Sequence, residues 1–306
     1  MKKTFFSPYR ISPYLALALF ALTTSACGKK EAPVARLEVK PTSIPLAYPE
    51  LATVRLTWEP IAAVQAAPTV FVHLVDAKGE IERTFDHAYP VAFQPGTPTT
   101  YNVHLFQTAL ASPLSEGEHR LVIGLYVPGG ERWAIETEGE EIKKKEYAVA
   151  KIVVPKVAAN APRIQFTKTW LPGEEGGDRQ SVVRRWLTGQ GALRIAPIPG
   201  PGSFWLSLRI PEGDNPGEKL VVDGNNPPSV VVTNVCNATE TSVSGPGQHL
   251  VQVPIDAAPS DGQCIVRLRP NFHLEVTGSP HRRTVALENA AWSPKTAEDG
   301  AAEPKN

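Results

Sequence analysis

Residues 54–59 read Val-Arg-Leu-Thr-Trp-Glu, with an apolar side chain at every second position. Successive side chains of a β-strand point to opposite faces of its sheet, so this pattern predicts a strand with one buried and one solvated face. The alternation recurs at residues 36–40 and 101–106, whereas residues 70–75 are almost uniformly apolar, as in a central strand. No segment longer than ten residues has the hydrophobic period of a helix. The sequence therefore predicts an all-β protein.

Turn-forming residues separate these runs along the first half of the chain. Three further strands are expected at residues 119–126, 133–135 and 147–154. Hairpin turns are expected at residues 76–79 (Asp-Ala-Lys-Gly) and 128–130 (Pro-Gly-Gly). About seven strands within residues 36–155 predict a β-sandwich.

A second all-β domain is expected after a break in the pattern. Residues 156–162 are mostly small and end in a proline, which is typical of an interdomain linker. Eight or nine strands then predict a jelly-roll sandwich over residues 163–294. The candidate strands are residues 181–187, 192–195, 204–210, 219–222, 230–235, 249–253, 264–268, 272–276 and 284–292. Residues 295–306 are polar and predict a disordered tail.

The composition is that of a turn-rich globular protein. Of 306 residues, 42% are hydrophobic, 30 are Pro and 23 are Gly. Lys and Arg together number 31, as do Asp and Glu, so the formal net charge is zero. This balance argues against the overall basic character of a nucleic-acid-binding protein.

The N-terminus has the form of a secretory signal. Lys2, Lys3 and Arg10 precede an almost wholly apolar stretch at residues 11–22, too short to span a bilayer. Thr-Ser-Ala-Cys at residues 24–27 resembles a bacterial lipobox, although Leu is usual at the first position. We expect a lipoprotein signal peptide at residues 1–26 and a lipidated Cys27, which two acyl chains would anchor stably. The alternative is ordinary signal cleavage that leaves Cys27 as a free thiol.

The sequence around the expected anchor also predicts where in the cell the protein is located. Residues 27–35 would form a short tether between the lipid and the first domain. Gly28 rather than Asp follows the lipidated position, and by resemblance to enterobacterial sorting signals this indicates the outer membrane of a Gram-negative host.

Two cysteines remain after Cys27, and both are expected in an oxidising compartment. Cys236 and Cys264 each lie beside a strand-like run, and a disulfide between them is the simplest expectation. Two buried thiols or a catalytic cysteine are the alternatives. The chain carries no Cys-x-x-Cys or His-Glu-x-x-His pattern.

The first domain resembles a known family. Residues 71–80 read Phe-Val-His-Leu-Val-Asp-Ala-Lys-Gly-Glu, and Asp86-His87 and the Gly-x-His-x-Leu-x-x-Gly-Leu-Tyr pattern of residues 117–126 follow. This order resembles immunoglobulin-like domains attached to bacterial membrane glycosyltransferases and envelope proteins. That family has Trp-x-Pro-Gly where this chain has Pro-Thr-Thr-Tyr at residues 98–101, so the resemblance implies the fold and no site there.

The second domain is similar to the galactose-binding-like jelly rolls found in the same settings. The resemblance rests on an aromatic–Trp–Glu–Arg–Trp order, and it implies a candidate glycan-binding set. That set is Trp170, Glu174, Glu175, Arg185 and Trp186. An exposed indole can stack on the C–H face of a sugar, while Arg and Glu hydrogen-bond its hydroxyls.

Tryptophans of the second half have a competing structural role, because indoles also fill sandwich cores. We expect Trp186 and Trp205 to lie in the core. Trp170 precedes a loop rich in Pro and Gly, so its ring is the one most expected to be exposed.

Titratable residues form no recognisable catalytic or metal motif. His73 lies in a buried type of strand and is expected to be a satisfied core or edge histidine rather than half of a pair with Asp86. His104 and His119 alternate with apolar residues and are expected to face solvent. We expect no metal, no cofactor and no catalytic residue. Glu174-Glu175, adjacent on a Gly-rich loop, are better explained as solvated carboxylates than as a glycosidase pair.

These observations favour a non-catalytic lipoprotein of the cell envelope. The resemblance implies a glycan-binding or glycan-assembly accessory module whose partners are the membrane and an envelope polysaccharide or glycan-assembly protein, with no nucleic acid. The alternative is a structural or protein-interaction lipoprotein without a glycan ligand. A hydrolase is a third hypothesis, which no motif supports.

Overall fold

The computed structural model describes residues 31–107, 110, 112–174 and 184–295, and every regular element within these ranges is a β-strand. The all-β prediction is therefore confirmed. No helix in the described part of the chain is long and apolar enough to cross a membrane. The expected signal peptide, Cys27, Glu175 and the chain beyond residue 295 lie outside the described residues.

The described residues of the first half, from 31 onward, form twelve strands. They are β1 (Ala35–Lys40), β2 (Ser43–Pro45), β3 (Leu51–Pro60), β4 (Thr69–Val75), β5 (Ile81–Thr84), β6 (His87–Ala88), β7 (Thr99–Phe106), β8 (Gly117–Tyr126), β9 (Arg132–Trp133), β10 (Ile135–Thr137), β11 (Glu140–Lys143) and β12 (Glu146–Val154). One sheet has the order β10-β1-β3-β7, and a larger one has the order β11-β12-β8-β4-β5 with β2, β6 and β9 added at its margins. Two stacked sheets of this kind make a sandwich-like unit, here called the first sandwich.

Alternating burial defines the core of the first sandwich. Val54, Leu56 and Trp58 of β3 are fully buried, while the residues between them face outward. They pack against the inward side chains of the facing sheet, such as Val72 of β4 and Ile123 of β8. The pattern that predicted the strand therefore also orients it.

Short hairpins connect neighbouring strands where the sequence predicted turns. In the turn between β4 and β5, Asp76 Oδ1 accepts hydrogen bonds from the backbone N–H groups of Lys78 (2.9 Å) and Glu80 (2.8 Å). Gly79 completes the turn with φ +84°, a conformation that favours glycine. The charged run at residues 138–145 contributes β11 and its turn into β12.

Eleven strands are found in the second half, within residues 163–174 and 184–295. They are β13 (Arg163–Phe166), β14 (Arg185–Trp186), β15 (Gly191–Ala196), β16 (Gly202–Ile210), β17 (Glu218–Val222), β18 (Ser229–Asn234), β19 (Thr239–Ser244), β20 (Gly247–Ile255), β21 (Cys264–Pro270), β22 (Phe272–Val276) and β23 (Ala286–Pro294). The sheets have the orders β13-β15-β21-β18-β19 and β14-β23-β16-β20, with β17 and β22 paired apart. They enclose a second core, and this unit is here called the second sandwich.

The predicted disulfide between Cys236 and Cys264 is present. Cys236 follows β18 and Cys264 begins β21, two strands that pair antiparallel. The bridge therefore reinforces a contact that the sheet already makes, and it closes a loop that contains β19 and β20.

The two sandwiches are in direct contact. The backbone N–H of Trp292 on β23 donates to the carbonyl of Pro49, just before β3, at 2.9 Å. Leu110, between β7 and β8, is buried among the apolar side chains of the second core. A side chain from the first half thus contributes to the core of the second.

A small apolar cluster on the outer face of the larger first-sandwich sheet depends on a glycine. The ring of Phe71 on β4 lies over Gly124 on β8, and a Cβ at Gly124 would come within 2.3 Å of that ring and 2.8 Å of the Lys145 carbonyl. The Arg132 guanidinium covers the ring at 5.1 Å from its centroid. Residue 124 therefore has no room for a side chain.

We expect Gly124→Ala to lower the free energy of unfolding by about 2 kcal/mol, because the added methyl overpacks the sheet face. Gly200→Ala is the matched control, since an added Cβ there meets nothing within 4 Å. Its effect should stay within about 0.5 kcal/mol in urea denaturation. Equal effects of the two substitutions would contradict the packing argument.

Candidate functional site

A groove of 1340 Å³ lies on the outer face of the β10-β1-β3-β7 sheet. Its floor is formed by outward side chains of β1, β3 and β7. The segment from Thr137 to Glu140, together with β12, bounds one side. The lining side chains that can hydrogen-bond are Arg36, Glu38, Lys40, Thr42, Thr53, Arg55, Thr57, Glu59, Asn102, Glu136, Thr137, Glu138 and Glu140. We call this surface the sheet groove.

Cross-strand pairs organise the sheet groove. Arg36 on β1 contacts Glu136 on β10 at 2.9 Å and Glu59 on β3 at 3.3 Å. The hydrogen bond and charge of Glu136, and then those of Glu59, raise the pKa of Arg36. Thr57 and Thr100 share a hydrogen bond of 3.1 Å between their hydroxyls. Donors and acceptors therefore alternate along the groove.

The charge of the sheet groove is mildly acidic. Its lining contains five glutamates against two arginines and one lysine. Several of these charges pair with one another, which leaves a surface of mixed sign. Such a surface suits a hydroxyl-rich neutral ligand better than a polyanion, because an anion would meet the excess of carboxylates.

The described members of the candidate set, Trp170, Glu174, Arg185 and Trp186, are brought together, but as a closed cluster. Trp170 is 7% exposed, so the expectation of an exposed ring is wrong. Its indole N–H donates to the Ala192 carbonyl at 3.0 Å, and its ring packs edge-on against Phe166. Its backbone also pairs with Leu187, which draws the ring into the second core.

Glu174 occupies the centre of the polar half of this cluster. It accepts a hydrogen bond of 2.9 Å from the indole N–H of Trp186 and pairs with Arg283 at 3.2 Å. Trp186 is 5% exposed, which confirms the core expectation, and the Arg283 guanidinium lies 5.3 Å from its ring centroid. Arg185 lies over Phe166 at 4.4 Å. These partners are internal, so neither indole offers an open face to a sugar.

Trp205 does not lie in the core, contrary to the expectation for it. Phe204 and Leu206 point inward from β16, and alternation therefore places Trp205 on the outer face of the sheet, where it is partly exposed. It lines a second cavity, described below.

His119 is 2% exposed, so the expectation that it faces solvent is wrong. Its Nε2 lies 3.1 Å from Glu82 Oε2 and 3.3 Å from Ser115 Oγ. In a Ser–His–acid relay the serine and the acid contact different ring nitrogens. Here both contact Nε2, and Nδ1 is buried with no partner in the described part of the chain. The three residues therefore form a structural cluster that fixes the loop before β8.

His73 combines the two possibilities raised for it. It is 9% exposed, and its Nε2 lies 3.1 Å from Asp86 Oδ1. The same carboxylate oxygen accepts the backbone N–H of Val72 at 3.1 Å. His104 lies on the outer face of its sheet, beside Thr53, and its partial burial lowers its pKa. Within the described ranges no three His, Cys, Asp or Glu side chains are grouped as metal ligands would be.

Comparisons with known proteins do not assign a function. No family model and no curated protein matches the chain. A Salmonella alpha-2-macroglobulin mutant, Y1175G, is 14% identical, with 90% of this chain and 16% of that one covered and a TM-score of 0.23. Escherichia coli alpha-2-macroglobulin is 10% identical, with 85% of this chain and 14% of that one covered and a TM-score of 0.22. Bacteroides uniformis beta-glucuronidase 2 bound to cyclophellitol-6-carboxylate aziridine is 11% identical, with 85% of this chain and 30% of that one covered and a TM-score of 0.20. This chain thus spans less than a third of each protein, and such TM-scores indicate nothing about activity.

The stability contributed by the cluster of Glu82, Ser115 and His119 depends on pH through Glu82. Burial alone would raise its pKa, but hydrogen bonds from the Ser115 hydroxyl (2.5 Å), the Ser115 backbone N–H (3.0 Å) and His119 lower it below the ordinary 4.5. A depressed carboxyl pKa contributes stability above the unfolded value, and this stability is lost as pH falls through the folded value.

We expect Glu82→Gln to lower the free energy of unfolding by about 2 kcal/mol at pH 7, because it weakens charge-assisted hydrogen bonds. The difference from the unsubstituted protein should shrink below pH 4.5. Glu116→Gln, an exposed carboxylate on the same loop, is the control, and its effect should stay within about 0.5 kcal/mol. A Glu82→Gln effect that is constant between pH 7 and pH 3 would contradict this account of the cluster.

Proposed function

We propose that this protein is a lipid-anchored, non-catalytic component of a bacterial cell envelope that binds an envelope polysaccharide along the sheet groove. The observation that carries the binding proposal is the groove itself, a long cavity whose lining is dominated by hydroxyl, amide, carboxylate and guanidinium groups. A polysaccharide presents hydroxyls that both donate and accept hydrogen bonds, and the alternation of such groups along the groove matches this chemistry.

The anchor proposal rests on the N-terminal sequence. Residues 11–22 are apolar, and Thr-Ser-Ala-Cys ends the signal at Cys27. Two acyl chains on that cysteine hold a protein stably at a bilayer. β1 begins at Ala35, so the proposed tether between Cys27 and the first sandwich is short in sequence. The Gly28 signal favours the outer membrane.

We also propose a specific fold type for each of the two sandwich-like units. We assign an immunoglobulin-like sandwich to residues 36–155 and a galactose-binding-like jelly roll to residues 163–294, joined by the linker at residues 156–162. The proposal is supported by strand pairing, since β1–β12 pair only among themselves and β13–β23 do the same. The same two domain types accompany bacterial glycosyltransferases, which favours a role in glycan binding or assembly.

A structural or protein-interaction role is the second candidate. It is favoured by the direct contact between the sandwiches, in which Leu110 enters the second core and Trp292 bonds to Pro49. Such contacts fix the two sandwiches against each other, as a scaffold for a partner protein would require. Loss of polysaccharide binding without loss of a specific crosslinked partner would favour this candidate.

We expect Arg55→Ala to weaken binding of the host envelope polysaccharide at least fivefold in a quantitative pull-down, because Arg55 on β3 is at the centre of the groove floor. Arg194→Ala is the matched control, since Arg194 is also an exposed strand arginine but lies outside the groove. Equal binding by both variants and by the unsubstituted protein would refute the groove as the binding surface.

The anchor is tested separately. Cells grown with an alkynyl fatty acid should label the unsubstituted protein, whereas Cys27→Ser should carry no label and should leave the membrane fraction. The physical reason is that the acyl chains supply the membrane affinity. Label on Cys27→Ser, or none on the unsubstituted protein, would overturn lipidation.

A further inference from the structure

A second cavity, of 650 Å³, lies between the two sandwiches. The first sandwich contributes Glu50, Leu51 and Thr53 to its lining. The second contributes Gly202, Ser203, Trp205, Gln252, Pro254, Ile255, Asp256, Ser293, Pro294 and Lys295. We call this cavity the inter-sandwich cleft. The hydrogen bond from Trp292 to the Pro49 carbonyl lies beside it and joins its two walls.

Trp205 is the aromatic residue of the cleft. Its side chain projects from the outer face of β16 and is partly exposed. The indole Nε1 has almost no accessible surface and no partner among the described residues, so the exposed part of the ring is carbon. Carbon surface of an aromatic ring packs against the C–H face of a pyranose, and the binding energy then comes from apolar contact rather than from the indole N–H.

Polar groups surround this ring. Gln252, opposite Trp205 in the strand register, donates from Nε2 to Ser203 Oγ at 2.8 Å. This bond orients the Gln252 amide beside the indole. Asp256 accepts a hydrogen bond from Asn237 at 2.7 Å, and Glu50 lies on the opposite wall. An aromatic face with amide, hydroxyl and carboxylate groups around it is the arrangement that sugar rings require.

The cleft is continuous with the sheet groove. Thr53 on β3 lines both cavities, and its hydroxyl lies 3.1 Å from His104 Nδ1. The outward side chains of β3 therefore lead from Glu59 and Arg55 in the groove to Thr53, which the two cavities share. The seven strand residues from Thr53 to Glu59 span about 20 Å, which is long enough for several sugar units.

We propose that one neutral polysaccharide chain runs along the outer face of β3 from the sheet groove into the inter-sandwich cleft, where one of its pyranose rings packs against Trp205. This proposal rests on the proposed function and adds a second site, a ligand class and a direction to it. The glycan is neutral because carboxylates exceed cations in the groove, and because two carboxylates against one lysine line the cleft. Repulsion from these groups disfavours uronate-containing or phosphorylated chains.

The test uses the full mature protein and titrations with oligosaccharide series of increasing length. The probes are malto-, cello-, manno- and N-acetylchito-oligosaccharides as neutral chains, and oligoalginates as anionic chains. One neutral series should bind, with an affinity that rises with length until both cavities are filled. Saturation-transfer NMR then identifies the sugar protons that contact an aromatic ring.

Two substitutions of Trp205 test whether the glycan chain enters the cleft. Trp205→Ala should weaken binding of the long oligosaccharide at least tenfold and abolish the aromatic saturation transfer, while binding of the short oligosaccharide held by the groove is unchanged. Trp205→Phe keeps a carbon ring and should bind within about threefold of the unsubstituted protein. The thermal midpoint of unfolding is measured for both variants, and an unchanged midpoint shows that a loss of binding in Trp205→Ala does not come from unfolding.

Gln252→Ala has a matched control in Gln248→Ala. Both glutamines lie on β20 and donate to a serine hydroxyl on β16 at 2.8 Å, but Gln248 and its partner Ser207 are outside the cleft. Gln252→Ala should weaken binding about fivefold, and Gln248→Ala should change it less than twofold. Equal losses in both would show that the sheet, and not the cleft, is being perturbed.

The outcomes separate the two proposals. If Arg55→Ala weakens polysaccharide binding while Trp205→Ala and Gln252→Ala do not, the groove function stands and the cleft site is overturned. If the oligoalginates bind more tightly than every neutral series, the ligand class is wrong. If neither the host polysaccharide nor any oligosaccharide binds to the folded protein, the glycan-binding function fails and the cleft site fails with it.

Discussion

The two-sided character of β3 is the constraint on which the rest of the molecule depends. Residues 54, 56 and 58 are fully buried in the first core, and the odd-numbered residues from 53 to 59 must therefore point away from it. Trp58 is the largest of these buried side chains, and its removal from water favours one orientation of the strand over the other. A shift of register by one residue would bury Arg55 and expose Trp58. The core thus fixes which polar side chains line the outer groove.

Contact between the two sandwiches extends the outer surface of β3 beyond the first sandwich. The β7–β8 connection places Leu110 in the second core, and Pro49, just before β3, bonds to Trp292. The start of β3 is therefore held against β16 and β23, and Trp205 comes to lie beyond the end of the groove. A surface that is already in place loses little conformational freedom on binding, so more of the contact energy appears as affinity.

Strands were the part of the structure most accessible from the sequence, because period-2 alternation and turn residues are local signals. The runs missed were short or irregular. The two-residue β6 has too few side chains for a pattern, and β19 is an exposed edge strand without apolar alternation. The disulfide was predictable from the number of cysteines and the oxidising compartment expected from the N-terminal sequence. It required no knowledge of which strands pair.

Side-chain environments were less accessible, for two different reasons. His119 and Trp170 are buried by chain segments distant from them in the sequence, namely the β5 strand that carries Glu82 and the strand that carries Ala192. No local pattern indicates such neighbours. The outward position of Trp205, in contrast, is visible in the alternation of Phe204-Trp205-Leu206, where the size of the indole was given more weight than its register.

The groove could not be predicted from the sequence for a third reason. β1 has β3 on one side and β10 on the other, and β10 begins 95 residues beyond the end of β1, so the Arg36 contacts with Glu59 and Glu136 exist only in the folded sheet. Hydrogen bonds on such an exposed face replace bonds to water and contribute about 0.5–1.5 kcal/mol each. Under the proposed function, such bonds would orient a glycan chain along β3 without holding it tightly. An aromatic contact at the end of the same surface would add apolar affinity, and the proposed membrane anchor would raise the local concentration of the protein near its ligand. Modest affinity for each sugar unit would then be sufficient, because chain length and localisation would supply the rest.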